Sequence, residues 1–300
     1  MKPILLFALL LLAACQSQPH RSDEAATAAT PTTIEGQYDN HEQVWAVREG
    51  GANPPAHVVV AIEPTRRPDW TIWHVRLDAV PPLSAAWAMQ RVDAATWLPH
   101  RAMVAAPTGG DAFDAQQWTP LDACALRGES SSGGIRASAD VAACSAIAPG
   151  IGAQAALLPI ALEAEGEWLR LRLYADQARG AQARSEARRV AYFSGWAAIN
   201  GGGPGAAADS RDWHMDRNVR LGSEGGRAPL LWRDGKRSGY SLALERLTYR
   251  DGNVPVLKLS ILDDADGHAL AYAWANPQAT RIGINLGWVQ VGLDRVTSSP

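Results

Sequence analysis

Trp70-Thr71-Ile72-Trp73-His74-Val75-Arg76-Leu77-Asp78 is the stretch that decides the fold class of this chain. Thr71, Trp73, Val75 and Leu77 fall on one face, and Trp70, Ile72, His74 and Arg76 on the other. A period of two is the signature of a β-strand, whose successive side chains point to opposite sides. The pattern returns at Trp168 to Tyr174, where Leu169, Leu171 and Leu173 oppose Trp168, Arg170, Arg172 and Tyr174. His57 to Glu63 is a β-branched run ended by Pro64, and Val190 to Trp196 offers a further strand. Ala153 to Ala164 is apolar, with no period that selects helix or strand. Many short strands separated by Pro and Gly turns predict an all-β barrel or sandwich over residues 34–199.

Beyond it, Asn200-Gly-Gly-Gly-Pro-Gly-Ala-Ala-Ala breaks the composition and reads as a linker. No Gly-Lys-Ser/Thr follows it, so it is not a phosphate loop. Residues 200–300 then carry hairpin turns at Asp234-Gly235, Asp251-Gly252 and Asp266-Gly267. Between and after the turns lie Gly239 to Arg250, Val254 to Asp263, Ala269 to Ala275 and Arg281 to Leu293. This predicts a C-terminal β-meander extension.

The chain opens with one charge, Lys2, and an apolar run from Ile4 to Leu12, too short to span a bilayer. Leu12-Ala13-Ala14-Cys15 has the small residues before cysteine that mark a bacterial lipoprotein. Residues 1–15 are therefore expected to be a signal peptide with Cys15 as the acylated residue. Acyl chains there tie the protein to a membrane, each buried methylene adding about 0.8 kcal/mol. Gln16 in place of Asp argues against retention in the inner membrane, so an outer-membrane lipoprotein facing the periplasm is expected. Residues 16–33, rich in Ala, Thr and Ser, read as a flexible tether.

A net charge of −3 with no run of Lys or Arg longer than two gives no sign of nucleic-acid binding. Of the three cysteines, Cys124 and Cys144 remain once Cys15 carries lipid. In an oxidising envelope an even pair predicts a disulfide. Closing a loop of that size stabilises by about 3 kcal/mol in the chain-entropy model. No Cys-x-x-Cys or nearby histidine supports the alternative of a metal. Nucleophile elbows and His-Glu-x-x-His are absent as well, so no catalytic residue and no cofactor is assigned. Asp212, His214 and Asp216 cluster beside the linker and read as a solvated loop.

Ile34 to Val44 reads as a turn feeding a short helix that runs through Trp45 and Val47 to Gly50-Gly51. Asn40 with Gln43, or Asp39 with Glu42, offers a capping box. Gly36, Tyr38, Asn40 and Gln43 together form Gly-x-Tyr-x-Asn-x-x-Gln. That pattern resembles the opening of the CpcT/CpeT family, chromophore lyases that attach linear tetrapyrroles to phycobiliprotein cysteines. The resemblance extends more weakly to about residue 198, and the family's two mid-domain cysteines have a spacing similar to Cys124 and Cys144. It implies a calyx-like, lipocalin-like antiparallel β-barrel whose cup holds a bilin.

The resemblance also suggests cup residues. Trp87-Ala88-Met89-Gln90 stands where the family has Tyr-x-Glu-Gln, and Trp97-Leu98-Pro99-His100-Arg101 where it has Tyr-Arg-Gln-Arg. Gln90 and Arg101 keep the family's chemistry; Met89 replaces the acid. Asp176 to Gly180 echoes a later Asp-Arg-Gly pattern. Alternation turns Trp73 inward as well in a closed barrel, and some of Trp73, Trp87, Gln90, Trp97 and Arg101 are accordingly expected to face one ligand-binding cavity, with Arg101 pairing a ligand carboxylate. His74, Arg76, Arg170 and Arg172 either reach into the cup or lie on a solvated outer face. Two functions follow as expectations: a lipid-anchored barrel with bilin-lyase character, or a non-enzymatic envelope protein. The second would bind a small apolar or amphipathic ligand, or have a purely structural role with a filled barrel.

Overall fold

A computed structural model describes residues 34–103, 110–131, 133–180, 183–249 and 254–297. Cys15, the signal, the tether and the Asp251-Gly252 turn lie outside the described residues. The first unit contains β1 (Gly36–Asp39), α1 (His41–Glu49), β2 (His57–Pro64), β3 (Trp70–Asp78), β4 (Leu83–Arg91), β5 (Thr96–Ala102) and β6 (Trp118–Pro120). It continues with β7 (Leu126–Ser131), β8 (Gly134–Ser138), α2 (Val141–Ile151), β9 (Pro159–Glu165), β10 (Trp168–Leu173) and β11 (Ser185–Arg189). The sheet runs β4-β3-β2-β1-β11-β10-β9-β8-β7-β5, and β5 returns to β4. This is a closed ten-strand antiparallel barrel, one of the two forms that the alternation left open and the one that the resemblance implied; β6 pairs with β5 outside the ring.

The alternation decides what goes inside. Trp73 and Val75 from β3, Leu169 and Leu171 from β10, and Val58, Val60 and Ile62 from β2 share one core. The opposite face of β3 is covered too, because Trp70 and Ile72 pack with Ala88 and Trp118 in a satellite cluster beside Phe113. Cys144, Leu157 and Leu158, from α2 and the 3-10 turn after it, join the barrel core. Asp140 caps α2 by accepting from the backbone N–H of Ala142 and Ala143. The predicted disulfide is present, Cys124 to Cys144 with Cα atoms 4.6 Å apart. It ties α2 to the 3-10 turn Asp122–Cys124.

The second unit is β12 (Tyr192–Asn200), β13 (Trp213–Gly222), β14 (Glu224–Leu231), β15 (Arg237–Tyr249), β16 (Val254–Asp263), β17 (Ala269–Ala275), β18 (Arg281–Asn285) and β19 (Val289–Arg295). They form two four-stranded sheets, β13-β12-β19-β18 and β14-β15-β16-β17. Phe193, Leu221, Leu244, Leu259, Ile282 and Leu293 meet in one core between them. The meander was legible; its return, with the last strand pairing the first, was not.

Several boundaries move. The strand expected at Val190 to Trp196 is β12, which opens the second unit at Tyr192 and runs on to Asn200, while the separate strand β11 closes the barrel at Arg189. The change of sheet therefore falls at Val190-Ala191, before the expected limit at 199. The Gly-rich run after Asn200 is no linker between domains but the β12–β13 connection. Buried Asn200 orders it, its Oδ1 accepting from Gly202 N–H at 3.1 Å and from the Ser210 hydroxyl at 3.0 Å. Arg281 to Leu293 is two strands with a turn at Leu286-Gly287. At α1 the predicted cap does not form. Asn40 instead accepts from Val58 N–H at 2.7 Å and donates to Gln43 at 3.0 Å, fastening the β1–α1 corner to β2.

Candidate functional site

The barrel interior has no cup at the expected residues. Trp73 and Trp87 are neighbours across β3 and β4, both 0% exposed. Their indole N–H groups are satisfied by the protein, Trp73 donating to Thr71 Oγ1 at 2.9 Å and Trp87 to the Leu157 carbonyl at 3.1 Å. Trp97 is core as well. Arg101 sits opposite Trp87 in register, but its guanidinium donates to the Gly150 carbonyl at 2.8 Å, at the end of α2. Gln90 lies one residue out of phase with Trp87 and Met89 and pairs with Trp70, on the outer face. The five residues therefore do not face one cavity: four serve packing or the α2 tie, and the fifth points away. His74, Arg76, Arg170 and Arg172 share the outward parity of their strands, and Arg76 pairs with Asp78 at 3.2 Å.

The surface of the second unit carries what the interior lacks. Strand β17 reads Ala269-Leu270-Ala271-Tyr272-Ala273-Trp274-Ala275. Ala273 and Ala275 pack against the core, so Tyr272 and Trp274 stand outward, with Leu270 exposed beside them; Tyr272 is 54% exposed and Trp274 57%. The register sets Trp274 beside Lys258 of β16, and Lys258 beside Glu245 of β15. Tyr249 projects from the same face of β15, and Trp45 reaches it from α1 of the barrel. Ring centroids run Trp45 to Tyr249 5.4 Å, Tyr249 to Trp274 5.7 Å and Trp274 to Tyr272 5.2 Å. The first contact is edge-on and the last is stacked.

Polar groups border this aromatic row. Lys258 Nζ lies 5.5 Å from the Tyr272 ring centroid and 3.9 Å from Glu245. Glu245 is also 3.0 Å from His41 Nε2. Although burial pushes the Glu245 carboxyl up, His41 and Lys258 outweigh that and hold it below its usual range. Gly225 in β14, at a φ of +77°, permits the approach of His41; a Cβ there would lie 2.6 Å from its Nδ1. No family model, no curated protein and no solved structure matches the chain.

A polar seam joins the two units, buried at Arg188 and Glu224 and part-exposed at Glu167. Arg246 of β15 forks onto Glu167 of the β9–β10 turn, with N–O distances of 2.6 and 2.7 Å. Arg188 of β11 touches Glu42 of α1 and lies 3.9 Å from Glu224 of β14. Burial pushes the Glu224 carboxyl up to about 8 and Arg188 down to about 10. His57 bridges Asp39 and Asp78 at 2.6 Å each, and the Asp39 hydrogen bond raises its imidazolium above the usual range.

The sequence contained a signal for the aromatic row. Ala269 to Ala275 alternates as strictly as β3, but with alanine on one side and Leu, Tyr and Trp on the other. The side that faced the core was left open by that pattern. Only Leu257, Leu259 and Ile261 filling the neighbouring strand's inner face settle it.

Proposed function

We propose that the chain is a non-enzymatic, lipid-anchored protein of the outer membrane, facing the periplasm, that binds an amphipathic ligand on the Trp45–Tyr249–Trp274–Tyr272 row. The observation that carries this reading is the row itself: contiguous rings, half of them more than 50% exposed, bordered by Lys258, Glu245 and His41. Exposed aromatic rows on folded proteins mark binding surfaces, because burying such rings in water-free contact is what stabilises association. A saccharide chain has the matching chemistry. Each ring offers an apolar C–H face to stack on an indole or phenol, while its hydroxyl edges take hydrogen bonds from a charged border. The row is one ring wide, which suits a linear chain.

The chromophore-lyase reading draws no support from the interior, where Trp73, Trp87 and Trp97 are buried against protein. The anchor rests on Cys15; Cys15→Ser is expected to move the protein from the membrane to the soluble fraction, as read by sedimentation and intact mass.

The ligand test is a titration of tryptophan fluorescence with linear N-acetylglucosamine oligomers and with a bilin. Longer oligomers are expected to bind more tightly. Trp274→Ala is expected to weaken them roughly tenfold, the scale of one lost aromatic contact. Oligomers that leave the fluorescence unchanged, or that bind Trp274→Ala as well as the parent, would reject the row. Bilin quenching insensitive to Trp274→Ala would favour the lyase barrel.

A further inference from the structure

We infer that the outer wall of the barrel holds a second binding site, on β7 to β10, for an elongated ligand with an anionic group at each end. A groove of about 500 Å3 lies there. Five arginines line it, Arg127, Arg136, Arg170, Arg172 and Arg184, against two glutamates, Glu129 and Glu163. Strand register sorts these into two rows. In one, Arg136, Glu163 and Arg170 are successive partners across β8, β9 and β10. Glu163 takes both arginines, at 2.9 and 3.3 Å, and so neutralises most of that row. Arg184 is occupied by Glu186 at 3.1 Å.

The second row is different. Arg127 pairs with Ser138, Ser138 with Ala161, and Ala161 with Arg172. Two small side chains thus form a floor between two arginines. The side chains of Arg127 and Arg172 have no hydrogen bond or ion pair among the described residues. Arg172 favours the charged form of Asp176 from a distance, but Asp176 binds the Leu173 N–H at 2.8 Å and pairs with Arg179 at 3.7 Å. The Nε of Arg172 is buried with no partner among the described residues. A buried donor left unmade costs free energy, and a ligand oxygen removes that cost.

The spacing gives the ligand its shape. Arg127 and Arg172 stand three inter-strand steps apart, roughly 14 Å at about 4.8 Å each. Two groups joined by a neutral spacer over Ser138 and Ala161 meet each fork over its own strand, without either side chain leaning across the floor. A guanidinium takes carboxylate or phosphate oxygens in pairs, so either chemistry serves at the ends. This site is independent of the aromatic row, and its failure would leave that reading untouched.

The test is calorimetric titration of the full chain with α,ω-alkane dicarboxylates and bisphosphonates of increasing length, with inorganic phosphate as the single-anion reference. In at least one series, affinity is expected to peak at an intermediate length and exceed phosphate by tenfold or more. Arg127→Gln and Arg172→Gln are each expected to return it to the phosphate level, while Arg237→Gln, on β15, leaves it unchanged. Arg127 is exposed, so its replacement leaves the barrel folded even if Arg172→Gln disturbs it; circular dichroism checks this. Affinity that does not depend on length in either series, or that survives Arg127→Gln, overturns the site.

Discussion

Replacing Trp87 by alanine is expected to destabilise the protein by about 3–5 kcal/mol, the range for large-to-small changes at a buried tryptophan. The side chain has no exposed surface, and its neighbours across the sheet are Trp73 and Arg101. Neither can swing into the vacated space, because Trp73 is held by Thr71 and Arg101 by Gly150. The change also strips the Leu157 carbonyl of its indole donor. Trp87→Phe separates the two effects: it keeps most of the ring and loses the N–H, so a loss of about 1 kcal/mol is expected. Chemical denaturation of the three proteins reads this directly. A cost below 1 kcal/mol for Trp87→Ala would mean that the interior is not packed around this ring, and the cup would return as a reading.

The second large effect belongs to the buried seam between the units. Arg188→Met removes the cation between Glu42 and Glu224. Breaking a buried pair by deleting one partner costs about 3–5 kcal/mol, since the remaining charge is left uncompensated. The cost is expected to be largest near pH 9, where Glu224 is ionised, and smaller near pH 6, where it holds a proton.

The sign for the parent protein follows from the same group. With its folded value raised to about 8 by burial, and an unfolded value near 4.3, Glu224 binds a proton in the folded state that the unfolded chain has released. Its contribution to stability is present in full below the unfolded value and is lost as pH rises through about 8. His57, also raised, acts in the same direction. Stability is therefore expected to fall between about pH 5 and pH 9. Glu224→Gln, which mimics the protonated carboxyl, should flatten most of that fall and leave the His57 share. A parent protein whose melting temperature rises over this range, or a Glu224→Gln profile as steep as the parent's, would reject the assignment.

What the sequence made legible follows from how local each feature is. Strand β3 was readable to its last residue, because Trp70 to Asp78 fixes both faces by itself, and β16 likewise through Leu257, Leu259 and Ile261. The helix after Asn40 and its stop at Gly50 were local as well. Asn40 itself was not, since its partner is Val58, eighteen residues on. Nor was the break at Val190-Ala191, where two strands of different sheets adjoin with no turn signal. The candidate site was the least readable part. Trp73 and Trp87 carry the same alternation whether a barrel is hollow or filled, and only the partners of their N–H groups decide. The row of rings draws Trp45 and Trp274 from opposite ends of the chain, so no window of sequence contains it.

Both units are closed by strands that are far apart in the chain: Tyr38 lies opposite Arg189, and Phe193 opposite Arg295. Closure therefore waits until both strands have emerged. A chain exported to the periplasm emerges in order from its N-terminal end, so Phe193 arrives well before Arg295. Throughout that interval β12 has no β19 to pair with, and one of its edges stands open to any other strand. Non-local pairing is also intrinsically slow, in the millisecond-to-second range. The second unit is thus the stage of biogenesis at which a chaperone would matter most, and a nascent chain halted before Val289 carries an unfinished seam.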